Sequence, residues 1–587
     1  MQVTVAGSRV IRRLSGGELV CEALIAQGVA TLFGYPGGAA LPFYRQLDRY
    51  PELRHVLVRH EQNAAHAADG YARATGKVGV CVATSGPGAT NLLTGLATAY
   101  MDCVPVVAIT GQVAQAAIGT QAFQEVDVLA MVGPITKAAF QVRRAEDVPA
   151  IIAEAFRIAA EGRPGTVLVD LPKDVQMAVI DVEGERPLGV ASSAPTVSAP
   201  SLPPDVRLAL DQAIGLLRQS ERPVLVAGHG VVIAEAAPAL LAFAQKTSLP
   251  VATTLLGLGS FAEHHPRALG MVGMHGTVQA NMALHHADLI IGVGMRFDDR
   301  VVGRPADFAP GARIVHVDVD PQSFGRVVRA DVPVLADARA AFAYLLENVT
   351  LLSPTRWRAW HERLDRWRVG HARCGQTEDT SDPNAAPTSP EVIQALRRVT
   401  GGGATIVSDI GQHQMFVALH HGFSRSGQML TSGGLGTMGY GLPAAMGVKT
   451  AEPGRQVWAV VGDGGFQMSA PELSTLAANG LAVKVLVVNN RCLGMVRQWQ
   501  ELFYDHVYSH SILPQPSFER LAAAHGVWST TVERRADLEH ALWEASMHPG
   551  PAVVDVRVPM EETVLPMIPA GASLDEIVCA DPVDVRL

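Results

Sequence analysis

Two short polar clusters, set at the two ends of one predicted crossover, carry the chemistry that is easiest to read in this chain. Gly462-Asp463-Gly464-Gly465 follows the apolar run Val457–Val461, and Asn489-Asn490 follows a second apolar run, Val483–Val488. Between them Ser469 reads as an N-cap, Glu472 as its capping-box partner, Leu473 and Leu476 as an apolar face, and Gly480 as the stop. The segment is therefore expected to fold as strand–helix–strand. Such a crossover joins parallel strands, so Asp463 and Asn490 should emerge together at the carboxyl edge of one sheet, where open α/β sheets hold ligands. Asp463 offers a carboxylate, Asn490 an amide oxygen and Cys492 a backbone carbonyl. That set leaves part of a Mg²⁺ octahedron to water and phosphate oxygens. Gly462, Gly464 and Gly465 clear the approach of a diphosphate to backbone N–H groups. Asp-Gly and Asn-Asn are each ordinary turn signals. It is their placement on one crossover that points to a metal site.

The chain has 587 residues, too many for one core, and suggests three or four domains. Its 48% hydrophobic and 18% charged content is that of a globular protein. A net charge of −9 gives no footprint for nucleic acid or an anionic membrane. The six cysteines are scattered without a C-x-x-C pattern, and they are expected to be reduced, buried thiols. The longest apolar runs have strand length, so no membrane span is expected. Arg9, Arg12 and Arg13 form a short basic patch with no apolar signal core after it, and a cytoplasmic location is expected. Two aperiodic stretches, Glu185 to Pro204 and Gln376 to Pro390, read as linkers. They divide the chain into expected domains at 1–184, 205–350 and 385–587. The first and third share an alternating strand–helix grammar, and the fold class is α/β with three doubly wound parallel sheets.

In the first block, Ser15 and Glu18 form a capping box, and Thr31–Tyr35 reads as a strand ending in Pro36-Gly37-Gly38. Strand Leu53–Val58, helix Glu61–Thr75, strand Val78–Thr84, loop Ser85-Gly86-Pro87-Gly88, helix Asn91–Tyr100 and strand Val104–Thr110 follow. Pro36, Glu61, Thr84, Pro87 and Gln112 thus fall near strand carboxyl ends. By position alone, Glu61 is a carboxylate on a helix first turn, stabilised there by the dipole. The stretch from Arg59-His60-Glu61-Gln62-Asn63 to Gly88 closely resembles the pyrimidine-binding domain of the acetolactate synthase group of thiamine diphosphate (ThDP) enzymes. The Gly-Asp-Gly…Asn-Asn crossover resembles the metal signature of the same group.

The resemblance implies a role for each matching residue. Glu61 would bond the pyrimidine N1′ and share the proton that moves during activation of the cofactor. Pro36, Thr84, Pro87, Asn91 and Gln112 would also contact ThDP, while Gly38, Phe123, Gln124 and Lys173 would face the reacting substrate. In the third block Gly411, Gln412 and His413 match the diphosphate loop, and Met438 matches the apolar prop that bends ThDP. Met468, Gly494, Met495 and Val496 join Gly462, Gly464 and Gly465 on the cofactor. Asp463, Asn490 and Cys492 would hold Mg²⁺. Ala114 and Gln121 depart from the usual Pro and Asp of the family, and neither change removes a group that the chemistry needs.

The middle block opens with strand Pro223–Ala227 into Gly228-His229-Gly230, a weak dinucleotide signal by itself. Asp288 to Gly294 and the strand Ile314–Asp318, ending in an acid, strengthen it. The runs Leu269 to Gly276 and Gly294 to Val301 resemble the FAD-binding domain of the biosynthetic enzymes. By that resemblance Arg163, Gly228, Gly230, Thr253, Met274, His275, Gly294, Arg296, Asp298, Arg300, Asp318 and Asp337 would serve the flavin. Arg300 would also hold the carboxylate of the second 2-keto acid, oriented by Asp299. Trp499 would favour 2-ketobutyrate over pyruvate by shape, and Val564 to Gly571 would close over the site.

The implied activity is that of a catalytic subunit that decarboxylates pyruvate and joins the product to pyruvate or 2-ketobutyrate, in branched-chain amino acid biosynthesis. The implied form is a homodimer or homotetramer with a small regulatory subunit. Another ThDP-dependent carboligase or decarboxylase is the alternative, and a non-catalytic binding protein on the same fold is a third. Glu61 argues against the glyoxylate-using relatives, which lack that acid.

Overall fold

The computed structural model describes residues 3–6, 9–184, 202–350, 355–374 and 382–580. Most of the expected linker at 185–204, and residues 376–381 of the second, lie outside the described residues. Val-, Ile- and Ala-rich runs of two to seven residues form three six-stranded sheets. Each sheet is parallel throughout, as strands buried on both faces predict.

The first sheet runs in the order Arg54–Leu57, Thr31–Gly34, Gly79–Ala83, Val106–Gln112, Thr166–Pro172, Ala138–Gln141. The third runs Met429–Leu430, Thr405–Ser408, Val457–Gly462, Val483–Asn489, Ala552–Arg557, Trp528–Val532. Counted within each unit, both orders are 2-1-3-4-6-5, so the shared grammar is a shared topology. The middle sheet runs Ala268–Met271, Val251–Thr253, Pro223–Ala227, Leu289–Val293, Arg313–Asp318, Val332–Leu335. That order is 3-2-1-4-5-6, the arrangement of dinucleotide-binding sheets.

The helices Glu61–Thr75 and Gly441–Ala451 hold the first and third units together. Each follows the second strand of its own sheet and leads into the third. A Cβ on Gly70 would overlap the Ala444 carbonyl, and a Cβ on Gly447 would overlap the Ala67 carbonyl. Only glycine allows backbones to approach so closely. The shared core continues through Ala64, Ala68, Leu442 and Ala445, all fully buried.

Two expectations are corrected. Ser469 caps nothing: the helix begins at Asp463 itself, a 3-10 turn covers Ala470–Glu472, and Leu473–Asn479 resumes the helix before a left-handed Gly480. Glu472 is recruited elsewhere because its side chain is drawn to the first unit. The cysteines are not all free: Cys374 and Cys579, 205 residues apart, form a disulfide with Cα atoms 4.8 Å apart. The C-terminal segment returns to the end of helix Arg358–Cys374, a meeting that sequence spacing does not reveal. The N-terminal basic patch lies in a three-stranded antiparallel sheet. Strand Arg9–Ser15 pairs antiparallel with Val3–Ala6 and Val179–Glu183, and Arg12 makes a buried pair with Glu22 at 2.6 Å. Among the described residues no helix is long and apolar enough to cross a membrane.

Candidate active site

In a doubly wound sheet the strand order reverses at one point, and the loops beyond it splay apart to leave a crevice. The third sheet reverses between Thr405–Ser408 and Val457–Gly462. The segments leaving those strands, Ile410 to His413 and Asp463 to Gly465, line a small cleft together with Met438, Asn490, Cys492 and Gly494 to Val496. Strands Val457–Gly462 and Val483–Asn489 are neighbours in register, so Asp463 and Asn490 leave adjacent strand ends as the sequence predicts. Asp463 is buried, and burial pushes its carboxyl up to about 7. Its described side-chain partner is the Gln515 amide, which donates to Oδ2. Asn490 Oδ1 accepts from the Cys492 N–H at 3.2 Å, which folds the loop so that the three candidate ligands stay together.

A magnesium diphosphate fits this donor set. A buried carboxylate without a cation is costly, and a divalent ion relieves it. His413 is buried with Nε2 unpartnered, and burial pushes its pKa down to about 4. Among the described residues no group of three or more His, Cys, Asp or Glu side chains could hold an ion. The hard, mostly neutral oxygen set around Asp463 is instead the kind that suits Mg²⁺ with phosphate. Gly462 and Gly465 also serve packing, since a Cβ would strike the His413 ring at the first and Asp409 Oδ2 at the second. At Gly494 a Cβ would meet the Asn490 and Gln412 amides. Gln412 accepts from Asn490 Nδ2 at 3.2 Å and donates to Gln498 Oε1 and the Glu562 carbonyl. Gln498 in turn grips both main-chain groups of Val564, so the candidate ligand Asn490 is tied to the C-terminal segment.

Glu61 opens its helix as expected, with His60 as the N-cap. It is half-buried and accepts from Asn91 Nδ2 at 2.9 Å. Thr84 is buried and takes the Ala39 N–H, shaping the Pro36–Gly38 turn, while Pro36, Gly38 and Pro87 are exposed. Gln112 turns inward, donating to the Val126 carbonyl and to Asp170, while its own oxygen accepts from Val113 N. Phe123 is 89% exposed, and Gln124 beside it adopts φ +61°. Lys173 is exposed at the start of a short helix. None of these first-unit residues lines the Asp463 cleft of the same chain.

A second cavity, of about 870 Å³, lies where the three units meet. It gathers Arg163, Gly230, Met274, His275, Gly294, Arg296, Asp298, Arg300, Asp318 and Asp337 with Met495, Val496 and Trp499. Gly228 and Thr253 stay behind its wall: Gly228 is pressed on Gly294, and Thr253 is buried with its hydroxyl unpartnered. Arg296 pairs with Asp298 at 2.8 Å, and Arg163 donates to Cys103 Sγ and reaches Asp320 at 3.5 Å. His275 is buried with neither ring nitrogen hydrogen-bonded, and burial pushes it down to about 4. Arg300 is more than half exposed and lies 3.3 Å from Met274 Sδ. Ile410, Met495 and Val496 line both cavities, so the two are separated by a single layer of side chains.

Several site-building residues escape sequence reasoning because their partners are remote. Asp409, fully buried, accepts from Gly439 N and Tyr440 N and so fixes the loop that carries Met438. Asp102 accepts from Gly433 N and Gly434 N and pairs with Arg73 at 2.9 Å. Arg73 also pairs with Asp69, which accepts from Tyr440.

Three family profiles match the chain in the order of its sheets. They are the N-terminal TPP (thiamine pyrophosphate) binding domain of thiamine pyrophosphate enzymes over residues 14–131, the central domain over 210–345, and the C-terminal TPP binding domain over 409–556. An acetolactate synthase of Mycobacterium bovis is 45% identical, covering 97% of this chain and 92% of its own length. An acetolactate synthase large subunit of Lactococcus lactis is 42% identical, with 96% of each chain covered. The isozyme 3 large subunit of Escherichia coli K12 is 43% identical over 96% of this chain and 98% of its own.

Proposed function

The chain belongs to the acetolactate synthase large-subunit family of thiamine diphosphate-dependent enzymes, and from that premise we propose that it condenses two 2-keto acids with loss of CO₂. Pyruvate is the donor, and pyruvate or 2-ketobutyrate the acceptor. The observation that carries the reading is the Asp463–Asn490 pair on adjacent strand ends, beside an unpartnered buried His413. Bound ThDP supplies the thiazolium that accepts the electron pair freed by decarboxylation.

The protein's part is to hold, orient and exclude water. Asp463, the Asn490 amide oxygen and the Cys492 carbonyl hold Mg²⁺, and Gly411, Gln412 and His413 face the diphosphate. Met438 stands in the same cleft as the apolar prop. Glu61, kept in place by Asn91, exchanges a proton with the pyrimidine N1′. Arg300 holds the acceptor carboxylate by its planar guanidinium, and Trp499 in the same cavity bounds the acceptor's alkyl group. Lys173, Phe123 and Gln124 face the substrate from the first unit.

The larger cavity suits FAD. Its sheet has the dinucleotide order, its volume is within the usual range for cofactor sites, and His275 and Asp298 Oδ1 present buried polar atoms without partners. No chemical step is assigned to the flavin. Because Glu61 reaches neither cavity of its own chain, a second copy supplies it to the Asp463 cleft, and the working form is at least a dimer. Relatives bearing the name large subunit support a small regulatory partner for this cytoplasmic enzyme.

Purified protein given pyruvate, ThDP and Mg²⁺ should form acetolactate, stop when a chelator is added, and carry a yellow chromophore. Release of CO₂ without acetolactate would overturn the reading in favour of another carboligase or a decarboxylase.

A further inference from the structure

Glu472 is completely buried, and among the described residues no Lys, Arg or His side chain pairs with it. A carboxylate in such a place depends on its hydrogen bonds, which the charge of Arg59 assists. Its Oε1 accepts the Arg59 backbone N–H at 2.8 Å and the Asn63 side-chain amide at 2.9 Å. Its Oε2 accepts the Thr475 hydroxyl at 2.7 Å, and the same hydroxyl lies 3.2 Å from the Leu57 carbonyl. Leu57 ends strand Arg54–Leu57, Arg59 lies in the turn that follows, and Asn63 stands in the first turn of helix Glu61–Thr75. Two of these contacts bracket Glu61 in sequence, two residues before it and two after.

The turn is therefore fastened from another sheet, more than 400 residues away in sequence. Glu472 itself ends the 3-10 turn that directly follows the helix of Asp463. Without it, the Arg59 N–H and the Asn63 amide would lose the acceptor that ties them to the third unit, and the first turn of the helix would be free to shift. A shift of an ångström in a proton-exchanging carboxylate costs about a hundredfold in rate.

We propose that Glu472 is the positioning residue for Glu61, fixing the turn that sets where the Glu61 carboxylate stands. This rests on the reading in which Glu61 meets the cofactor pyrimidine. The function is geometric, so charge on Glu472 is not required. A glutamine at 472 keeps an oxygen for Arg59 and Asn63, and its amide can donate to Thr475, whose hydroxyl then turns to Leu57. Burial raises the Glu472 carboxyl above its ordinary range and the three hydrogen bonds oppose that rise, so losing the charge removes a cost rather than a function.

The test compares Glu472→Ala, Glu472→Gln, Asn63→Ala and Glu61→Gln in the full chain. Two quantities are read: amide hydrogen exchange of the 57–66 peptide without cofactor, and exchange of the thiazolium C2 proton for deuterium with ThDP and Mg²⁺ bound. Glu472→Ala is expected to raise exchange in the peptide and slow the C2 proton by about tenfold to a hundredfold, with ThDP affinity unchanged. Glu472→Gln restores most of both, and Asn63→Ala gives a smaller loss of the same kind. Should the alanine variant fail to fold, the Gln and Asn63 variants still decide, because a charge-dependent role predicts that Gln fails and Asn63→Ala does nothing. Normal C2 exchange in Glu472→Ala or Asn63→Ala, beside slow exchange in Glu61→Gln, overturns the proposal alone. Normal exchange in Glu61→Gln overturns the reading of Glu61, and the proposal with it.

Discussion

Oδ2 of Asp409 occupies the space in which a Cβ on Gly465 would stand. The same carboxylate accepts the Gly439 N–H at 2.9 Å and the Tyr440 N–H at 3.2 Å, so one missing methyl group lets three loops of the third unit close on one another. Gly465→Ala should push Asp409 aside and release the Met438 loop. Overpacking of this kind costs about 1–3 kcal/mol. Thermal unfolding should show a lower midpoint, and ThDP with Mg²⁺ should recover less of it than in the parent protein.

In the proposed dimer Glu61 and Asp463 serve one site from two chains. Glu61→Gln and Asp463→Ala should each abolish acetolactate formation. Unfolding and refolding the two variants together should restore activity that neither has alone, because mixed dimers contain one intact site. Continued inactivity of the mixture, with mixed dimers demonstrated by mass, would place both residues in the same chain's site.

Asp170 gives a pH test with a definite sign. It is fully buried and accepts from Thr110, Gln112 and Gln141, and burial raises it from 3.8 to about 6. Between those two values the folded chain keeps a proton that the unfolded chain has released, so this residue makes stability fall as pH rises through the window. The effect is about 1.4 kcal/mol for each unit of separation. Asp170→Asn should therefore compare more favourably with the parent above the window than below it, as measured by urea midpoints on either side.

The disulfide can be counted. Unfolded without reductant, the protein should expose four reactive thiols, Cys21, Cys81, Cys103 and Cys492, and after reduction six. Replacing Cys579 by Ser should leave five thiols in either condition and increase amide exchange in the segment from Val564 to Ala580.

What could be read from the sequence was what is local. Helix Glu61–Thr75 and strands Pro223–Ala227 and Thr405–Ser408 fall where periodicity and punctuation put them, since a run of apolar residues and its stop signals lie within a few positions of one another. The crossover placed Asp463 and Asn490 for the same reason. Glu472 was misread because a Ser three residues before a Glu is a capping pattern, and nothing nearby reveals a stronger set of donors on another sheet. The Arg73–Asp102 pair, the Cys374–Cys579 link and the pairing of strand Arg9–Ser15 with Val179–Glu183 join residues far apart in sequence, which no local pattern announces. The exposure of Phe123 concerns a surface, which a linear pattern does not describe.

Helices Glu61–Thr75 and Gly441–Ala451 occupy equivalent places in two units of equal topology and meet through reciprocal glycines, Gly70 on Ala444 and Gly447 on Ala67. Self-complementary contacts of this form usually join identical subunits. Here the partners are covalently joined, so their encounter is intramolecular and dilution does not separate them. Lowering the protein concentration should therefore separate the proposed dimer while leaving this helix pair intact, and on that proposal the isolated subunit would retain its cradle for the diphosphate but lack the acid that activates the ring.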